Sequence, residues 1–228
     1  MIGLGNRGFH TTSCANHVAN TLKTNGYETS TWGMMDNHMG MGCIGKDHTA
    51  LGYEKFIRGR NSDDVVTYIK ERHQRPFFLN VAYTLTHRIG GGFTAARQPE
   101  DEPRYLTPPA PLADTPKIRE DWAHFLSDAA ALDREMGKII AAVDEAGLAN
   151  DTLIIATTDH GPPFPGMKCN LTVHGCGVFL IMRGPSGFGG GRAIDGLVSQ
   201  VDLFPTICDI TGIEKPPWLA GTSVLPLI

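Results

Sequence analysis

Nowhere in the 228 residues does an uninterrupted apolar run approach the roughly 20 residues that a membrane-spanning helix needs. Residues 1–20 do not read as a secretory leader, because Arg7, His10 and Asn16 interrupt any apolar core. Basic surplus is also missing. The formal net charge is −4, which argues against a nucleic-acid binder. There is no Cys-x-x-Cys pair among the five cysteines, Cys14, Cys43, Cys169, Cys176 and Cys208. Their odd number and irregular spacing exclude the usual structural zinc sites and predict buried or free thiols. No internal repeat or low-complexity tract is present. The compartment stays open on these grounds.

What is present is the composition of a globular domain, 41% hydrophobic and 19% charged. Glycine (27) and proline (15) gather at Gly90–Gly92, Pro108–Pro111, Pro162–Gly166 and Gly184–Gly191, which marks long loops between regular elements. Residues 15–25 can form a helix with Val18 and Leu22 on one face. Asp63 to Glu71 forms another, with Val65, Val66 and Ile69 inward and Asn61 or Ser62 as cap. Pro76 to Tyr83 is a short apolar run, as in a strand covered on both faces.

Residues 116–146 carry the clearest period. Ile118, Trp122, Phe125, Leu126, Ala129, Leu132, Met136, Ile139, Ile140 and Val143 follow helical spacing, and Gly147 stands where a C-terminal cap is wanted. Strands are predicted at Thr152–Thr158, Val178–Met182 and Ala193–Ser199. A helix from about Asp202 to Thr211 follows, with Pro205 in its first turn. Strands alternating with helices predict an α/β sheet with helices on its faces. The first thirty residues offer no strong strand, and Leu225-Pro226-Leu227-Ile228 reads as the start of an element. Both ends therefore read as cut, and residues 1–228 as one partial domain.

The residues able to do chemistry gather at predicted strand ends. Asp159 and His160 lie where a buried strand passes into a Gly/Pro loop, the position at which open α/β sheets bind ligands. A carboxylate beside an imidazole there can ligate a divalent cation or manage protons, and the same pair also fits an Asx-turn with a solvated histidine. Lys168 and His174 follow before the next strand. Groups that hold a cation beside groups that neutralise an oxyanion are what sulfate and phosphate esters require. His87-Arg88 ends another strand, where an imidazole can donate to an anion or protonate a leaving group. His38 and His48 lie in a glycine- and methionine-rich stretch from Trp32.

Taken together these segments resemble the sulfatase family of the alkaline phosphatase-like superfamily. Thr157-Thr158-Asp159-His160-Gly161, Lys168 and Gly175-Cys176-Gly177-Val178 are similar to its metal and sulfate block. Val198 to Ile207, running on to Gly212-Ile213, is similar to the strand and helix that follow. Pro76-Phe77-Phe78-Leu79 leading to Thr86-His87-Arg88 is similar to its central strand and substrate histidine, and Leu51 to Phe56 also fits. The heparan N-sulfatase-like (sulfamidase-like) branch is the nearest in pattern. The resemblance implies a mixed, mostly parallel sheet with helices on both faces, incomplete here. It assigns Asp159 and His160 to a metal, usually calcium, and His87 and Lys168 to the sulfate. His174 falls near the site. The family's Gly-Lys-x-His falls on either His38 or His48: Gly26-Tyr27-Glu28-Thr29 leads in phase to Gly33, which Met34 follows, while Gly45-Lys46-Asp47-His48 has the right residues but arrives late, and residue types favour His48.

One family feature has no counterpart. No Cys-x-Pro-Ser-Arg motif, whose Cys or Ser becomes the formylglycine nucleophile, occurs in these residues; Cys14 is followed by Ala-Asn-His. No aspartate precedes Asp36 to supply the early metal pair. The expectation is a sulfuric ester hydrolase, acting on sulfate esters or sulfamates of a sugar, of which this chain holds the late metal- and sulfate-binding half and is itself inactive. An inactive fragment or pseudoenzyme that binds an anion or a partner, and a related phosphoester or phosphonate hydrolase, are the alternatives. Partners implied are a sulfated small molecule or carbohydrate, with no nucleic acid. Family likeness points to a periplasmic, secreted or lysosomal location.

Overall fold

The hydrophobic pattern passes over the strand that stands at the centre of the main sheet. In the computed structural model, which describes residues 14–33, 48–59, 61–93, 98–185 and 187–228, β1 (Glu28–Gly33) lies between β2 (Lys55–Ile57) and β3 (Phe77–Ala82), parallel to both. Thr29, Ser30, Thr31 and Trp32 are all buried. A run of Thr and Ser gives no apolar signal, yet it can be buried when its hydroxyls have partners. Thr29 Oγ1 donates to the Gly52 carbonyl at 2.6 Å and accepts from the Glu54 amide at 3.2 Å. Thr31 Oγ1 accepts from Asn80 Nδ2 at 3.3 Å. The expectation of no strong early strand is corrected on that ground.

The chain divides into two compact units. The described residues of 14–59, 70–82 and 187–228 form the first. Here α1 (Val18–Thr24) starts at His17, whose Nδ1 accepts from the Ala19 amide at 3.2 Å, and buries Ala19 and Leu22. Ala19, Leu51 and Tyr53 form a small core, with Cys14 and Phe78 packed against it. Burying a side chain the size of Tyr53 stabilises by roughly 2 kcal/mol. Gly52 has φ +99°, and a Cβ there would overlap the Asn20 backbone, so no other residue fits. Cys14 is disulfide-bonded, against the expectation of thiols throughout, while Cys169, Cys176 and Cys208 are free.

β3 is half-buried at all six positions, not covered on both faces as expected, and stands at the edge of the described sheet. No strand forms at 193–199. Gly196 lies against Leu227, Leu197 is fully exposed, and the segment pairs with no described strand. The last helix, α5, spans Leu203–Thr211. Asp202 ties its start by accepting from the Ser199 and Thr222 amides, each at 2.8 Å. Gly212, at φ +69°, ends it.

The second unit comprises residues 61–69 and 83–185. α2 (Asp63–Lys70) buries Val65, Tyr68 and Ile69, so Tyr68 takes the inward place expected of Val66. α3 (Pro116–Glu145) is the long helix the period predicts. Thr115 caps it by accepting from the Ile118 amide, and Gly147 at φ +72° follows it. β4 (Ile154–Thr157) pairs antiparallel with β5 (Leu180–Arg183), and α4 (Val173–Cys176) lies between them in sequence. The sheets are thus mixed, parallel in the first unit and antiparallel in the second.

Candidate anion site

The second unit contains Asp159, His160, Lys168, His174 and His87. The first four sit on the connection from β4 to β5. This connection is tied to itself through its backbone. The Phe164 and Lys168 amides both donate to the Pro162 carbonyl, at 2.8 and 3.2 Å, and the Met167 amide donates to Phe164 at 3.1 Å. Asn170 Nδ2 donates to the Lys168 carbonyl at 3.0 Å, and Thr172 Oγ1 to the Gly166 carbonyl at 3.0 Å. Phe164 and Met167 are buried and act as pegs. Phe164 meets Phe93, Trp122 and Phe125 at ring-centroid distances of 5.5 to 5.8 Å. Such aromatic pairs add about 0.5–1.5 kcal/mol each beyond burial.

The start and end of the connection meet at Gly161. Its amide donates to the Gly175 carbonyl at 3.0 Å, and a Cβ at this position would overlap the His174 carbonyl oxygen. His174 therefore passes beside the Asp159-His160 step through its backbone. Its side chain is exposed.

Asp159 and His160 converge on each other. His160 Nδ1 lies 2.7 Å from the Gly161 carbonyl, which can only accept, so Nδ1 carries the proton. In the neutral ring Nε2 then presents its lone pair to Asp159 Oδ2, 3.3 Å away. Two acceptors facing each other fit a shared proton or a shared cation. The Asp159 side chain is 77% exposed, which leaves its carboxylate free for further ligation. Among the described residues no group of three or more His, Cys, Asp or Glu side chains has metal-binding geometry.

Among the described residues two groups suited to an anion have no protein partner. His87 Nδ1 is buried without a hydrogen bond. The half-buried Lys168 ammonium makes no ion pair among the described residues, although Arg88, Arg104, Arg119, Arg134, Lys138 and Arg183 of the same unit all do. A buried imidazole nitrogen without a partner costs about 1–3 kcal/mol unless something supplies one. His38 lies outside the described residues. His48 opens a 3₁₀ turn, His48–Leu51, and its side chain is likewise outside them.

Sequence reasoning assigned nothing to Arg88, though it joins these segments. Its guanidinium meets Asp121 Oδ1 and Oδ2 of α3 at 2.9 and 2.8 Å, and its Nε donates to the Pro163 carbonyl at 3.3 Å. An acidic residue on the polar face of α3 was the only signal available in the sequence.

The chain is an α/β protein whose chemistry-bearing side chains lie on loops that follow β3 and β4, and its fold is shared by solved structures of alkaline phosphatase-like sulfatases. A protein solved in complex with its substrate D-glucosamine-2-N,6-O-disulfate matches at TM-score 0.71 and 15% identity, covering 99% of this chain and 67% of that one. The PsFucS1 sulfatase from Pseudoalteromonas sp. matches at 0.61 and 16%, covering 91% and 53%. The chain belongs to the sulfatase family: residues 15–213 match the family model described as Sulfatase. Human N-sulphoglucosamine sulphohydrolase is 30% identical over 191 residues, 71% of this chain and 38% of that protein. Arylsulfatase K of Xenopus laevis is 31% identical over 116 residues, 49% of this chain and 22% of that protein. The chain thus spans well under half the length of these relatives.

Proposed function

We propose that the chain carries the late metal- and anion-binding part of a sulfatase-type hydrolase of sulfate esters or sulfamates on a carbohydrate, residues 1–228 forming one partial catalytic domain. The observation that carries this reading is the pair of partnerless groups in one unit, the buried His87 Nδ1 and the Lys168 ammonium. The ammonium is a donor and Nδ1 donates when it carries the ring proton, and both then suit the oxygens of a tetrahedral anion. Lys168 neutralises sulfate oxygens. His87 anchors the sulfate or gives a proton to the leaving oxygen. His174 is a further candidate substrate histidine of this unit, and family likeness alone assigns a site histidine to His48 in preference to His38.

Asp159 and His160 would hold a divalent cation, and their facing acceptors 3.3 Å apart support this. A cation bound there supplies positive charge next to the sulfate oxygens. Calcium prefers oxygen ligands, so the family's usual metal draws on Asp159 more than on the imidazole of His160. The formylglycine nucleophile belongs to a Cys-x-Pro-Ser-Arg motif that these residues do not contain. That absence favours, as a second reading, a chain that binds a sulfated carbohydrate without turning it over. The disulfide-bonded Cys14 supports an oxidising, extracytoplasmic compartment.

The test is binding and turnover by the purified chain. Inorganic sulfate should bind and shift the His87 ring resonances, and Lys168→Ala should weaken that binding by about tenfold or more. An aryl sulfate should not be hydrolysed, even with calcium. Robust metal-dependent hydrolysis that Lys168→Ala abolishes would overturn the partial-site reading, and sulfate binding indifferent to Lys168 would overturn the site itself.

A further inference from the structure

A cation beside a sulfate-site histidine invites the reading that it too grips the anion. The geometry of Arg88 points elsewhere. Its Nη1 donates to Asp121 Oδ1 at 2.9 Å and to the Gly91 carbonyl at 3.3 Å. Nη2 donates to Asp121 Oδ2 at 2.8 Å, and Nε to the Pro163 carbonyl at 3.3 Å. A guanidinium has five N–H donors, and four of them are engaged by protein acceptors. Its charge is matched by one carboxylate. Its plane lies over two rings, 4.4 Å from the Phe93 centroid and 5.1 Å from that of Phe164. Only 24% of the side chain is exposed.

The acceptors come from three separate pieces of the second unit. Gly91 and Phe93 belong to the loop that carries His87. Asp121 belongs to α3. Pro163 and Phe164 belong to the loop that carries Asp159, His160 and Lys168. Pro162, the neighbour of Pro163, is the residue whose carbonyl holds the Lys168 amide. Arg88 is thus one bond from His87 along the chain and one residue from the turn that presents Lys168. We propose that Arg88 is a positioning residue, a strut that fixes the His87 loop and the Lys168 loop in a single register so that both can meet one tetrahedral anion. This assignment rests on the anion-site reading for its purpose, but not for its mechanics.

Lysine cannot replace such a strut. One ammonium meets a carboxylate at a point and has no planar fork to span both oxygens and a carbonyl. The decisive comparison is therefore Arg88→Lys, with Arg88→Ala beside it. Amide hydrogen exchange in the full chain without ligand reads the mechanics directly. The His87 amide, bonded to Thr84, and the Lys168 amide, bonded to Pro162, should both exchange about tenfold faster in either variant. Amides in the β4–β5 ladder should stay protected and thereby show that the fold is intact. If Arg88→Ala does not fold, Arg88→Lys carries the test alone.

Sulfate titration supplies the second arm. With Arg88→Lys, inorganic sulfate should bind about tenfold more weakly, and the sulfate-dependent shift of the His87 ring should shrink, although His87 and Lys168 are unchanged. Unaltered exchange at either loop overturns the strut. Faster exchange at both loops with wild-type sulfate affinity overturns its role in the site. If the wild-type chain ignores sulfate, the anion-site reading fails, and the exchange result still decides whether Arg88 couples the two loops.

Discussion

Lowering the pH should loosen the first unit through a single histidine. His17 begins α1, with Nδ1 accepting from the Ala19 amide. Its ring packs on Tyr53 at a centroid distance of 5.5 Å. Burial lowers its pKa from 6.5 to about 4, only partly opposed by a hydrogen bond to the Leu51 backbone. Protonating Nδ1 would also place an N–H against the Ala19 N–H at the start of a helix, where positive charge is unwelcome. Between about pH 6.5 and 4 the unfolded chain holds this proton and the folded chain does not, so stability is complete above that window and falls as pH drops through it. At about 1.4 kcal/mol per pKa unit, the loss between roughly pH 7.5 and pH 4.5 is about 2.5 kcal/mol. His17→Asn isolates this quantity, because asparagine caps a helix well and does not titrate. Urea midpoints of both proteins at the two pH values give the difference of differences, in which shared carboxylate effects cancel. Parallel pH profiles for wild type and His17→Asn, or a steeper loss in the variant, would refute the reasoning.

Two further substitutions probe the polar strand and the loop closure. Thr29→Val keeps the shape of a fully buried side chain but removes its bonds to the Gly52 carbonyl and the Glu54 amide, and should destabilise by about 1–2 kcal/mol in urea unfolding; an unchanged midpoint would mean that β1 does not depend on its hydroxyls. Gly161→Ala drives a methyl group into the His174 carbonyl and should lower stability by about 2 kcal/mol or more while weakening sulfate binding; a variant with wild-type stability and affinity would mean that Gly161 and His174 are not in contact.

The legible parts of the fold are those in which burial follows chemical type. α3 announced itself because Trp122, Phe125 and their successors repeat at helical spacing, and β3 and β4 because they are apolar. β1 was illegible to hydrophobic pattern because its burial rests on hydroxyls with partners at Gly52, Glu54 and Asn80, all distant in sequence. Only the likeness of Gly26-Tyr27-Glu28-Thr29 to a family strand pointed there. Residues 193–199 show the converse. Ile194, Leu197 and Val198 look like a strand, but Asp195 and Gly196 interrupt them and Leu197 stays exposed. The Cys14 disulfide was hidden by an odd number of cysteines without a spacing rule.

The site divides along the same line. Asp159, His160 and Lys168 of the proposed site could be grouped from sequence because one short connection carries all three, so sequence order stands in for proximity. Arg88 could not, because what it does depends on acceptors up to 75 residues away. The connection nevertheless has an internal logic that sequence and structure share. Its Phe164 and Met167 are sunk into the unit, and its backbone is bonded to itself, while no ion pair neutralises Lys168 among the described residues and most of the Asp159 carboxylate stays exposed. Six cations of the unit are ion-paired, and among the described residues Lys117 and the half-buried Lys168 are not. Holding the backbone rigid while leaving the charged ends open lowers the entropy lost when a ligand arrives and keeps those ends available to it. This arrangement suits a preformed binding site, and it makes the Lys168 ammonium, more than the exposed His174, the group whose removal should be felt first.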